Sequence, residues 1–312
     1  MTVAAALLVT AGLMGVLAPR QLLRLVTRGA DPLVPLLAWL ASAVSVVTTS
    51  ALAVSLLLLP DHGTDALALA HECWSSLEHG MAPRVEAAGG VVGLVLLTGL
   101  LVRLTVLSVK GARHRARRRR DHLAVLRVAA RHEPGSPSTL WLDHDEPLAF
   151  SLAGTPGVVV ATEGLNRRLT DKQVDAVLAH ERAHLNGRHH LLVAAADALS
   201  TVLPFLPLFR RTPGVVRELV EVAADAAAVR ACGVEAVRAA LLRVSGHGAP
   251  GSALAMGRDS VEVRLALLAH PHRRPDSARS LLAYGAACAT ALTVPVFAAF
   301  GGLLAVILVA CH

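Results

Sequence analysis

Two histidines four residues apart, with a glutamate directly after the first, carry the clearest chemistry in this chain: His180-Glu181-x-x-His184. On a helix, positions i and i+4 share one face, so both imidazoles can reach a single metal ion. Glu181 lies one residue round from His180. There it can hold a water beside the metal and take its proton, the general-base role in zinc peptidases. The motif is short and also arises by chance on polar helices. A partner run raises its weight: Glu221 and Asp225, in ELVEVAADAAAV, stand four residues apart on a second helix-like stretch. The expected site is Zn2+ held by His180, His184 and Glu221, with the fourth position left for water. Glu218, one turn earlier, is the fallback ligand. Asp225 is expected in the outer shell, orienting the second ring nitrogen of His180 or His184.

These side chains need rigid elements. The first is a helix opened by a Thr170/Gln173 capping box and stopped at Gly187, with Val174, Val177, Leu178 and Leu185 as its apolar stripe. Its charges (Asp171, Lys172, Asp175, Arg182 and Arg188) argue against a site helix that lies inside a bilayer. The second is a helix over 214–231, stopping near Gly233. Before them, 121–132 reads as helix, 133–138 as a turn-rich break, and 139–143, 148–152 and 158–162 as short strands. An edge strand there can hold an extended substrate backbone beside the metal. Residues 234–244 and 261–270 read as further helices.

The chain is 54% hydrophobic over 312 residues, with net charge +7. That is too apolar for a purely soluble protein, and the apolar residues come in blocks. Blocks at 3–18, 33–59 and 89–109 predict three membrane spans, and 281–310 a fourth, tilted or kinked one. Arg20, Arg24 and Arg28 follow the first block, KGARHRARRRR (110–120) follows the third, and an acidic loop (60–86) follows the second. The positive-inside rule then puts the N-terminus outside and the region after Arg120 in the cytoplasm, at a bacterial inner membrane. Directly after a span, the basic block reads as an anchor on anionic headgroups, and no direct nucleic-acid partner is expected. The partners expected are the lipid bilayer and a protein substrate.

The fold class expected is an α-helical membrane protein with an inserted α+β zinc metallopeptidase domain. Its divisions are three spans in 1–110, the cytoplasmic peptidase domain in 111–280 and the last span in 281–312. The apolar run 191–209 is long enough to cross, but one crossing would put His180 and Glu221 on opposite sides of the membrane. It is expected to be a re-entrant hairpin, a membrane-facing helix or domain core, bent at Pro204 and Pro207, with Asp197 against full lipid exposure. Cys73, Cys232, Cys288 and Cys311 match no metal or disulfide pattern and receive no role. Arg264, His189, His190 and His270 are the groups that could supply positive charge or a proton to the reaction.

The chain resembles the BlaR/MecR-type integral-membrane zinc metallopeptidases. The resemblance rests on EPLAFSLAGTPGVVVATEGL (146–165), VLAHERAHLNGRHH (177–190) and EVAAD (221–225). It implies a gluzincin-like domain at the cytoplasmic membrane face, and a BlaI/MecI-type transcriptional repressor as a candidate substrate in signal transduction. The penicillin-sensor domain of antibiotic-sensing members is not expected here, since His312 closely follows the last apolar block. HtpX-type proteases share the same H-E-x-x-H then E-x-x-x-D order, so an HtpX-like membrane quality-control protease is an alternative. A non-catalytic membrane signalling scaffold that retains the zinc site is another.

Overall fold

The computed structural model describes residues 2–27, 33–58, 83–135, 137–245 and 254–269, with 285 and 289. The expected fourth span falls outside the described residues except for those two positions. Most of the acidic loop, His270, Cys73, Cys288 and Cys311 also fall outside them.

Among the described residues, three helices are long and apolar enough to cross a membrane: α1 (Thr2–Thr27), α2 (Leu33–Leu58) and α3 (Pro83–Ala129). On α3 the valines and leucines from Val91 to Val109 are largely exposed, as a lipid-facing surface requires. Helix α3 does not stop at the basic block. It runs unbroken through 110–120 to Ala129, in place of a span followed by a separate helix at 121–132. Arg, Ala and Leu dominate that stretch, and it holds no proline, so nothing in it breaks a helix. His132, expected to be helical, instead lies in strand β1 (Ala130–Glu133). That strand pairs antiparallel with β2 (Ser138–Leu142), and the Trp141 indole donates to the Glu133 carboxylate. The partner residues lie 6–12 positions further along the chain, and helix propensity at 130–133 does not report the pairing.

The sheet has the order β1-β2-β4-β3. Strand β4 (Val158–Thr162) is wholly buried and runs parallel to β2. Strand β3 (Ala149–Leu152) pairs antiparallel with β4 and forms the free edge. Short helix α4 (Glu163–Arg168) follows, then α5 (Asp171–Asn186), α6 (His189–Val202), α7 (Pro207–Cys232), α8 (Val234–Ser245) and α9 (Leu254–Ala269). One core joins the sheet to the site helices. Trp141, Val159 and Leu165 pack with Val174 and Leu178 of α5, Ala228 of α7 and Val237 of α8.

The apolar run 191–209 is not one helix. Leu203–Leu206 breaks it between α6 and α7, and Pro207 opens α7, where a missing N–H costs nothing. The two helices form a hairpin whose apolar face packs on α1 and α2 in a second core. Trp39 of α2 donates to Thr212 Oγ1 at 2.8 Å. At the hairpin tip, Leu206 sits so close to α1 that a Cβ at Gly15 would stand 3.0 Å from it. Gly15 lies about 13 Å along α1 from Arg24 at 1.5 Å per residue. If α1 spans, the tip reaches well below the headgroups. Phe205, 73% exposed at that tip, is left uncovered among the described residues and suits acyl chains. A Phe205→Trp protein in vesicles should gain fluorescence that acyl-brominated lipid quenches. Quenching by aqueous iodide instead would place the tip in water.

Candidate metal centre

Helix α5 begins where expected. Gln173 Oε1 accepts from the Thr170 N–H at 3.2 Å, and the helix closes at Gly187. Its buried face, Val174, Ala176 and Leu178, lies on the sheet and α8. The 3.6-residue period then turns His180 and His184 toward α7, which packs alongside. Glu221 of α7 meets both rings. Its oxygens lie 3.4 Å from His180 Nε2 and 3.4 Å from His184 Nε2, and the two Nε2 atoms are 3.1 Å apart. The three side chains offer ligand atoms that all lie within 4.8 Å of one another. Glu218 is exposed and stands outside this group.

Each imidazole is held at its other nitrogen. His180 Nδ1 is 2.9 Å from Asp225 Oδ1, so of the two rings considered for Asp225 the structure selects His180. Asp225 is 4% exposed. Burial disfavours its charge, but Arg264 and His180 outweigh that and hold its pKa below the usual carboxylate value. Arg264 reaches both Asp225 oxygens at 2.6 Å in a bidentate fork and approaches Glu221 at 3.3 Å. Its guanidinium is thereby committed to the two carboxylates. Burial also works against a charged His180, yet Asp225 and Glu221 raise its pKa to about 9.

His184 is held by another histidine. Its Nδ1 lies 2.9 Å from Nδ1 of His189, which is 7% exposed at the start of α6. Burial lowers the pKa of both rings. At 2.9 Å one Nδ1 must donate and the other accept. The turn that folds His189 back needs Gly187, because a Cβ there would come within 2.3 Å of His189 Nε2. The turn is completed by Arg188 in the left-handed region, φ 49°. The sequence marks His189 and Arg264 only as available cations; their partners depend on a chain reversal and on α9, which no local spacing reports.

Glu181 is mostly buried beside the group. Burial raises its pKa above the ordinary glutamate value, with His180 and hydrogen bonds from Ser151 on the edge strand opposing. Glu181, His180, Glu221, Asp225 and Arg264 line a cavity of about 190 Å³ floored by Ala149 of β3. A larger cavity, about 410 Å³, opens on the other side of His184 and Glu221.

The donor set fits zinc. Two imidazole Nε2 atoms and one carboxylate converge, each imidazole is fixed from behind, and a separate half-buried carboxylate, Glu181, stands next to them. A centre of this kind is that of a metal-dependent hydrolase. The comparisons agree: residues 113–224 match the family profile described as Peptidase family M48. A "Protease HtpX homolog" from Thermodesulfovibrio yellowstonii is 31% identical over 84 residues, 26% of this chain and 30% of that protein. One from Moorella thermoacetica is 33% identical over 87 residues, 27% of this chain and 29% of that protein. The chain thus spans about 30% of the length of these curated relatives. No solved structure matches.

Proposed function

We propose that this chain is a zinc-dependent endopeptidase that cleaves a protein substrate at the cytoplasmic face of a bacterial inner membrane. The observation that carries the reading is the convergence of His180, His184 and Glu221 with Glu181 half-buried beside them. His180, His184 and Glu221 would hold the metal. Zinc, when bound, supplies Lewis-acid polarisation of the scissile carbonyl and of the attacking water. Glu181 takes the proton of that water and returns it to the leaving amine. Its raised pKa suits it to both tasks. Asp225, locked by Arg264, keeps Nε2 of His180 aimed at the metal, and His189 does the same for His184. The free edge of β3 can pair with an extended peptide, which brings the peptide past Glu181.

The names of the curated relatives favour an HtpX-like membrane protease as the specific reading. A BlaI/MecI-type repressor remains a candidate substrate on the sequence resemblance alone. Comparing the proteomes of cells carrying wild-type and Glu181→Ala protein tests both. Substrates accumulate in the variant if the reading holds, and identical proteomes count against it. For the orientation, reporter fusions within 60–82 and at Asp121 should give opposite signals; equal signals would overturn the cytoplasmic placement.

The groups behind the imidazoles give a graded prediction. Asp225→Asn and His189→Ala should each weaken zinc binding about 10–100-fold without abolishing it. Chelator competition on the purified protein measures this. Unchanged affinity in both would remove them from the metal's support.

A further inference from the structure

The 410 Å³ cavity beside the metal group has a charge pattern that the proposed chemistry does not use. It is bounded by His184 and Glu221 on the metal side, by Ser151 of the edge strand, and by Asp197 and Arg217 of the α6–α7 hairpin. Asp197 and Arg217 satisfy each other at 2.7 and 2.9 Å. Glu221 is shared among His180, His184 and Arg264. Two lining groups are left over. Arg115 has no hydrogen bond or ion pair among the described residues. His190 Nδ1 is buried and has no hydrogen-bond partner among the described residues.

Arg115 belongs to the basic block of α3. One turn on, Arg119 donates to the Pro156 carbonyl in the loop between β3 and β4. Residues i and i+4 share a helix face, so this face of the block turns toward the peptidase domain, with Arg115 itself exposed at the cavity wall. The cavity is therefore walled by one surplus guanidinium and one imidazole able to donate a single N–H. A carboxylate matches both: it pairs with a guanidinium in a fork and accepts from the ring.

We infer that this cavity is a substrate subsite, and that Arg115 and His190 receive a carboxylate of the peptide next to the bond that is cleaved. The inference rests on the peptidase reading and names its substrate class: peptides acidic beside the scissile bond. Continuity with Ser151 and with His184 and Glu221 favours a peptide chain over a lipid phosphate, because a chain laid along β3 to the metal group passes into this cavity.

The test uses full-length protein in detergent micelles and a set of fluorescein-labelled peptides. The peptides differ only in glutamate, glutamine or lysine, placed one position at a time, each with a free or an amidated C-terminus. Wild type should prefer glutamate over glutamine at one position by about tenfold in kcat/KM, the scale of one charge-assisted contact. Arg115→Gln should collapse that ratio toward one, and Arg115→Glu should reverse it in favour of lysine. Dependence on the free C-terminus, with no side-chain preference, would assign the carboxylate to the peptide terminus. Binding of the same peptides to Glu181→Gln protein, read by anisotropy, separates the two levels. Arg115-dependent binding without cleavage by wild type would keep the subsite and sink the peptidase. Cleavage with the same glutamate ratio in wild type and Arg115→Gln would sink the subsite alone. Loss of affinity for phosphatidylglycerol vesicles in Arg115→Gln, with peptide preference intact, would assign Arg115 to headgroups and overturn the inference.

Discussion

Glu181→Gln should leave zinc bound at the wild-type level while cleavage falls by two to four orders of magnitude, the usual worth of a positioned general base. Glutamine keeps the size and one hydrogen bond but cannot accept a proton. The environment sharpens the expectation. Glu181 is basic only when ionised, and burial raises its pKa. Activity should therefore fall as the pH drops through a value above that of an exposed glutamate. Ser151 holds the pKa down by hydrogen bonding, so Ser151→Ala should shift this acid limb to higher pH. Zinc content and single-turnover cleavage across pH measure both effects. A Glu181→Gln protein that cleaves at the wild-type rate would show that the base lies elsewhere.

His180→Ala, His184→Ala and Glu221→Ala should differ from it in kind, because they lose the metal. If three ligands share roughly 12 kcal/mol of zinc affinity, each carries about 4 kcal/mol, on the order of a thousandfold in Kd. That exceeds the 10–100-fold expected behind the imidazoles. Glu218→Ala is the control on the same helix. Its side chain points to solvent, away from the His-His-Glu group, so zinc should be retained. Retention in Glu221→Ala with loss in Glu218→Ala would reverse the assignment.

Much of this centre was legible because it depends on short-range periodicity. The cap at Thr170, the stop at Gly187, and the i, i+4 spacing of His180 with His184 and of Glu221 with Asp225 are local features that the helices express directly. The three expected strands appear to within a residue of their expected ends for the same reason. What single-strand pattern could not carry is pairing and packing. Strand β1 exists because the next strand, β2, offers a partner, and the alternation in four residues is too short to announce it. The unbroken α3 shows that a basic run after an apolar stretch does not end a helix. The hairpin tip at Leu206 is marked by Pro204 and Pro207, but its seat on α1 follows from packing on Gly15. The clamp of Arg264 on Asp225 joins residues 39 apart in sequence, and charge alone did not distinguish Arg264 from the other cations.

The central claim is that His180, His184 and Glu221 hold zinc. Zinc K-edge absorption on the purified full-length protein tests it most directly. One zinc per chain is expected, with only nitrogen and oxygen neighbours at about 2.0–2.2 Å and the scattering pattern of two imidazoles. The pattern should drop to one imidazole in whatever zinc His184→Ala retains. A sulfur shell at about 2.3 Å, or no zinc in wild-type protein purified without chelator, would contradict it.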